Sequence, residues 1–173
     1  LEGQLLDRKS LRAVTGKSAD WAELAKDCVA FANAMGCRLL IGIEDGEALP
    51  PPTQRIPADL PDLLRRRVSE RTVNVAVGPS VMTAGTGGEF IELTIARSAA
   101  GVASTSYGRF VLRIGDTSRP VLGDDVMRLA SERSALPWET LTTMEVPRSQ
   151  VDSAQLAALV AGLRSSDRVK PSV

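Results

Sequence analysis

Histidine is missing altogether from the 173 residues. Without an imidazole, Ser-His-Asp and Cys-His nucleophile chemistry, the zinc-protease helix motif and two-Cys-two-His fingers are all excluded. Any catalysis must fall to carboxylates, Lys, Arg or a bound metal. Cysteine is scarce: Cys28 and Cys37 are the only two. They are too few for a zinc site of their own or a disulfide scaffold, so a reducing, cytoplasmic setting is the expectation. Aromatics make up only 3%, which leaves the core to Leu, Val, Ile and Ala. Neither sign of charge is in excess, since 21 basic residues cancel 21 acidic ones. A uniformly basic nucleic-acid coat is excluded, whereas a local basic face is not. No apolar run approaches the ~20 residues that span a bilayer. No secretory signal precedes the first element, so no membrane partner is expected. The chain opens on Leu1, not Met, and is expected to be a piece of a longer protein.

What is present is a globular composition, 43% apolar and 24% charged. Residues 4–9 alternate as a short strand. A helix is predicted from Trp21 to Met35, with Asp20 or Ser18 as its cap and Glu23 placed for a capping box. Trp21, Leu24, Ala25, Cys28, Phe31, Ala32 and Met35 share its inner face. Gly36 ends it, and the apolar run 38–43 that follows reads as a buried strand. Trp21, Leu24, Cys28, Phe31 and Leu40 are expected to form one core. Prolines make 46–57 a loop. A second helix spans 58–70, with Arg65, Arg66 and Arg67 largely outward. Strands follow near 73–83, 90–97 and 109–114, the first two joined through Gly85-Thr86-Gly87-Gly88, and a third helix covers 123–133. Residues 137–147 read as a linker before a short Ala/Leu helix at 151–164. The order predicts an α/β (α+β) domain over 1–135, one mixed sheet flanked by helices, with 136–173 leading onward.

The stretch Thr15-Gly16-Lys17-Ser18 ends like a phosphate-binding loop. Leu11 stands where that motif needs Gly, so it reads as a plain loop. The carboxylates are more informative. Glu2 and Asp7 flank the first strand, and Glu44 and Asp45 follow the buried one, where α/β sheets place their sites. Carboxylates from separate segments suit Mg²⁺ or Mn²⁺, which stabilise displacement at phosphorus without histidine. Asp7 and Lys9, two apart, share a strand face: one holds a metal, the other steadies phosphate charge. The competing reading is that these acids cap loops and that the pair is an exposed salt bridge. Arg8, Lys17, Arg113 and Arg119 are the basic candidates for phosphate. Arg113 and Arg119 flank the turn Gly115-Asp116-Thr117-Ser118.

Taken together, four pieces resemble the Schlafen/AlbA-type nucleic-acid-binding domain. Glu2 to Lys9 is similar to its acidic-x4-acidic-x-Lys opening. Ala30-Phe31-Ala32-Asn33-Ala34-Met35-Gly36 is similar to its helix-ending signature, with Cys37 where a second Gly is usual. Leu39-Leu40-Ile41-Gly42-Ile43-Glu44-Asp45 matches its central strand, and Phe110 to Pro120 its Arg-x-Gly-x-Thr close. The resemblance covers about residues 1–135. It implies RNA or DNA as partner. By analogy with the family's nucleases, it also implies a Mg²⁺- or Mn²⁺-dependent endoribonuclease site for structured RNA such as tRNA. Carried over by motif, Glu2, Asp7 and Asp45 would hold the metal, with Lys9 beside them. Asp7 is one methylene shorter than the Glu usual there. The alternatives are a non-catalytic DNA-binding module of a multidomain regulator or defence protein, and a nucleotide-binding sensor. A homo-oligomer is also compatible.

Overall fold

A computed structural model describes residues 5–99, 101–133 and 153–165. The chain divides into two compact units, 1–136 and 137–173. In the first, the order is β1 (Leu6–Lys9), α1 (Trp21–Asn33), β2 (Cys37–Ile41), α2 (Leu60–Ser69), β3 (Thr72–Val73), β4 (Val77–Thr83), β5 (Glu89–Ile95), β6 (Ser104–Thr105), β7 (Val111–Ile114), β8 (Thr117–Pro120) and α3 (Asp124–Ser131). Four strands make a mixed sheet in the order β1-β2-β5-β4. β1 runs parallel to β2, while β5 is antiparallel to both β2 and β4. The parallel pair needs a crossover, and α1 supplies it. Two small antiparallel ribbons, β3–β6 and β7–β8, complete this α+β unit.

The start of α1 follows from its cap: Asp20 Oδ1 accepts from the Glu23 amide at 2.9 Å. The Glu23 carboxylate turns instead to Lys26 at 2.6 Å. Leu24, Cys28, Phe31 and Ala32 are buried, as the helical spacing predicts. The helix ends at Asn33, so Met35 lies beyond the inner face and is exposed. Gly36 has φ +81°, and a Cβ there would sit 2.7 Å from the Ile95 carbonyl oxygen. Only glycine allows the turn to pass that close to β5.

Strand periodicity then sets the core. Cys37, Leu39 and Ile41 pair with Ile95, Leu93 and Ile91, and all six are buried against the helices. Leu40, expected among them, points to the opposite face of the sheet and is only half-buried, because its neighbours Leu39 and Ile41 take the inner side. Trp21 is partly buried against the cluster. The stretch predicted as one strand near 73–83 is divided at Asn74, whose φ of +58° takes β3 out of line with β4. β3 and β4 therefore join different sheets. β8 carries no apolar alternation and was not among the predicted strands. It exists because Gly115, at φ +63°, folds it back on β7.

The proline-rich loop is stitched to the sheet by Gln54. Its Nε2 donates to the carbonyls of Gly42 at 2.8 Å and Glu89 at 2.7 Å. In the second unit, α4 (Ser153–Arg164) occupies the predicted Ala/Leu helix. The predicted linker 137–147 lies outside the described residues.

Candidate functional site

Asp7 sits beside Leu39, and Lys9 beside Ile41, in the parallel β1–β2 register. Both side chains therefore face α1. There the Lys9 Nζ lies 2.7 Å from Asp27 Oδ2 and 3.7 Å from Asp7 Oδ2. Asp7 is 8% exposed and Asp27 5%. One ammonium thus bridges two buried carboxylates. Burial works against the charge on Lys9, but the hydrogen bond and charge of Asp27, then Asp7 and Glu23, outweigh it and raise its pKa. Lys9 is a persistent cation at neutral pH.

Asp27 and Phe31 are four apart on α1, hence one above the other. The Arg113 guanidinium stacks over the Phe31 ring, 5.0 Å from its centroid. Arg113 is 9% exposed and donates to Ser118 Oγ at 3.4 Å, while its Nε has no acceptor among the described residues. Cys37 lies within the field of both Asp7 and Arg113. Burial, then the Asp7 charge, pushes its thiol up to about 12, against a backbone hydrogen bond and Arg113. Burial likewise raises the Cys28 thiol. These are inert, protonated sulfurs, not nucleophiles or metal-ready thiolates.

The other predicted residues are placed elsewhere. Glu2 lies outside the described residues. Asp45 is exposed in the loop after β2 and lines an open groove of about 630 Å³ with Glu44, Glu47, Leu49 and the triple proline. A bond from Ser10 Oγ to Glu44 Oε1, 2.7 Å, ties the end of β1 to this loop. Arg8 projects to the sheet face opposite Asp7, with Nη1 donating to the Glu47 carbonyl at 3.2 Å. Lys17 is exposed in a single turn of 3-10 helix, Gly16–Ser18. In the β7–β8 hairpin Arg113 pairs with Ser118, whereas Arg119 pairs with Leu112, so the two arginines point to opposite faces. Arg119 is exposed. Among the described residues, no three His, Cys, Asp or Glu side chains converge to hold a metal.

Sequence reasoning gave no role to several buried polar residues, Asp27 and Asn33 among them. Asp27 carried a signal: it falls on the stripe of Leu24, Cys28 and Phe31, where a carboxylate must find a cation. Asn33 is 1% exposed. Its Nδ2 donates to the Ala103 and Val111 carbonyls at 2.7 and 2.9 Å, and its Oδ1 accepts from the Ala103 amide at 2.8 Å. Arg133 Nη1 also donates to that oxygen at 2.9 Å, and its Nη2 to the Asn33 carbonyl. Asn33 is therefore the joint at which α1, the β6 and β7 segments and the end of α3 are fastened.

The sequence pattern of the family described as Schlafen, AlbA_2 matches residues 2–122. No curated protein matches the chain. Among solved structures, the chain is similar to the DIP2311 protein from Corynebacterium diphtheriae, with 22% identity and a TM-score of 0.57. That alignment covers 96% of this chain and 35% of the other, so the chain spans about a third of the length of the protein it matches. At this identity the likeness concerns the fold. Among the described residues no helix is long and apolar enough to cross a membrane.

Proposed function

Because the chain belongs to the Schlafen, AlbA_2 family, a nucleic-acid-related group, we propose that it binds nucleic acid and cleaves structured RNA such as tRNA at the α1–β1 corner. The observation that carries this reading is the Lys9 ammonium, held charged between Asp7 and Asp27. A partly buried cation of fixed position offsets charge developing on a phosphoryl oxygen. Asp7, Asp45 and Glu2 are the residues that would hold Mg²⁺ or Mn²⁺, which when bound supplies further positive charge to the scissile phosphate. The donor chemistry fits such a hard cation. The Asp7 carboxylate is only loosely engaged by Lys9, which has the nearer Asp27 to rest on.

The test is single-turnover cleavage of end-labelled tRNA with each metal, alongside binding of the same RNA. Asp7→Asn and Asp45→Asn should retain binding and lose cutting. Wild type that cuts no tRNA or rRNA with either cation, and binds neither cation by calorimetry, overturns the catalytic part. The direct seating of Lys9 on Asp27 favours the second reading, a non-catalytic DNA-binding module in which Asp7, Lys9 and Asp27 are purely structural.

A further inference from the structure

Tyr107 is the only tyrosine of the chain, and it is 89% exposed. It stands at the tip of a tight turn whose geometry is well fixed. Gly108, at φ +76°, donates to the Thr105 carbonyl at 2.9 Å, and the Thr105 amide donates to Arg109 at 2.9 Å. The Arg109 amide donates in turn to Thr105 Oγ1 at 3.1 Å. The turn abuts the end of α2, since the Ser106 amide donates to the Arg71 carbonyl at 2.7 Å. That end carries Arg66, Arg67 and Arg71. Glu70 takes both Arg67 and Arg71, at 3.2 and 3.0 Å, so one carboxylate serves two guanidiniums. Arg66 and Arg109 are exposed and, among the described residues, form no ion pair with an acid. In a chain of zero net charge, the α2 end and the adjoining turn carry four arginines and one glutamate, and the turn holds an aromatic ring out in water.

At 89% exposure the Tyr107 ring leaves its faces open to a ligand. Guanidiniums match phosphate, and a bare aromatic face matches a nucleobase. Bases within a duplex are already stacked, so only an unpaired strand or loop can offer one to Tyr107. We infer that the Tyr107 turn and the C-terminal end of α2 form a docking surface for a single-stranded segment of nucleic acid, one base stacking on Tyr107 while Arg109 and Arg66 take its phosphates. The inference rests on the reading of the domain as nucleic-acid-binding, and it names a surface apart from the α1–β1 corner.

Fluorescence anisotropy of the 173-residue chain with labelled rU15, dT15 and a blunt RNA duplex tests it. Tyr107→Ala should weaken binding to the single strands by about 5- to 100-fold and leave the duplex nearly unchanged. Tyr107→Phe, which keeps the ring, should bind like wild type. Arg109→Gln and Arg66→Gln should each weaken binding and flatten its salt dependence. Comparing rU15 with dT15 tells RNA from DNA. Thermal melts by circular dichroism verify that each variant folds. Ultraviolet cross-linking of rU15 to the wild type should map to Tyr107 without any substitution. The inference is overturned if wild type binds while Tyr107→Ala and Arg109→Gln bind equally well, or if Tyr107→Phe fails as Tyr107→Ala does. Wild type that binds none of the three nucleic acids overturns the underlying reading as well.

Discussion

Phe31 fills the middle of the core with no solvent exposure and carries the Arg113 guanidinium above its ring. Truncation therefore removes both a large apolar volume and a cation–π contact. Phe31→Ala should cost about 3–5 kcal/mol, as aromatic truncations in cores do, read as a fall in the urea midpoint at unchanged slope. Lys9 is a different kind of residue. Among the described residues it is the one cation paired with Asp7 and Asp27, and a neutral side chain of similar length leaves two buried carboxylates in mutual repulsion. Lys9→Met should destabilise by about 3 kcal/mol, the low end for a broken buried pair, because the Lys9 side chain is 23% exposed. Adding Asp27→Asn should restore part of that loss, and a double-mutant cycle measures the coupling directly.

The β7–β8 hairpin shows how an element sorts residues that look alike in sequence. Arg113 and Arg119 both flank the same turn, six residues apart. Antiparallel pairing puts Arg113 with Ser118 on the inner face and Arg119 with Leu112 on the outer. Arg113→Ala should lower the melting temperature through the lost contact with Phe31, worth about 0.5–2 kcal/mol. Arg119→Ala should leave the melt unchanged. The same alternation explains Leu40, whose apolar character matched a core position while its place in the strand did not. Helix α1 was easier to read, because Asp20 caps it and an apolar stripe of 3.6-residue period announces its buried face. Its last turn was harder: Met35 fits that period, but the Gly36 turn begins before it.

At the scale of the whole molecule, two buried thiols and one partly buried ammonium titrate in the same alkaline direction. Lys9, Cys28 and Cys37 all have pKa values raised by the fold. A raised value means that the folded state binds protons more tightly than the unfolded one, so stability falls as pH climbs. For the thiols the contribution is complete below the ordinary value of 9.0 and is lost as pH rises toward about 12 for Cys37. Thermal midpoints should hold steady to about pH 9 and then decline. Cys28→Ala, which removes one of these groups, should flatten the decline. In the native state both thiols should resist alkylation and become reactive only on unfolding, which mass spectrometry can follow. A stability that increased from pH 9 to 11 would contradict the burial assigned to both sulfurs.

Local patterns determined the segments. Period, caps and turn residues act within a few positions of the chain, so α1, β2, α2 and β5 and the α+β order were legible, as was the family resemblance carried by residues 2 to 45 and 110 to 120. They also singled out Asp7 with Lys9 as a same-face pair. Only the tertiary structure decided which distant groups meet. Asp27 faces Lys9 across α1 and β1, and Arg113 reaches Phe31 from the far end of the domain. Asn33 binds Ala103, Val111 and Arg133, partners 70 to 100 residues away. The turn bearing Tyr107 meets the end of α2 through the Ser106–Arg71 bond. Such pairings follow from sheet register and from how helices lie on the sheet, quantities summed over the whole chain and therefore absent from any short stretch of it.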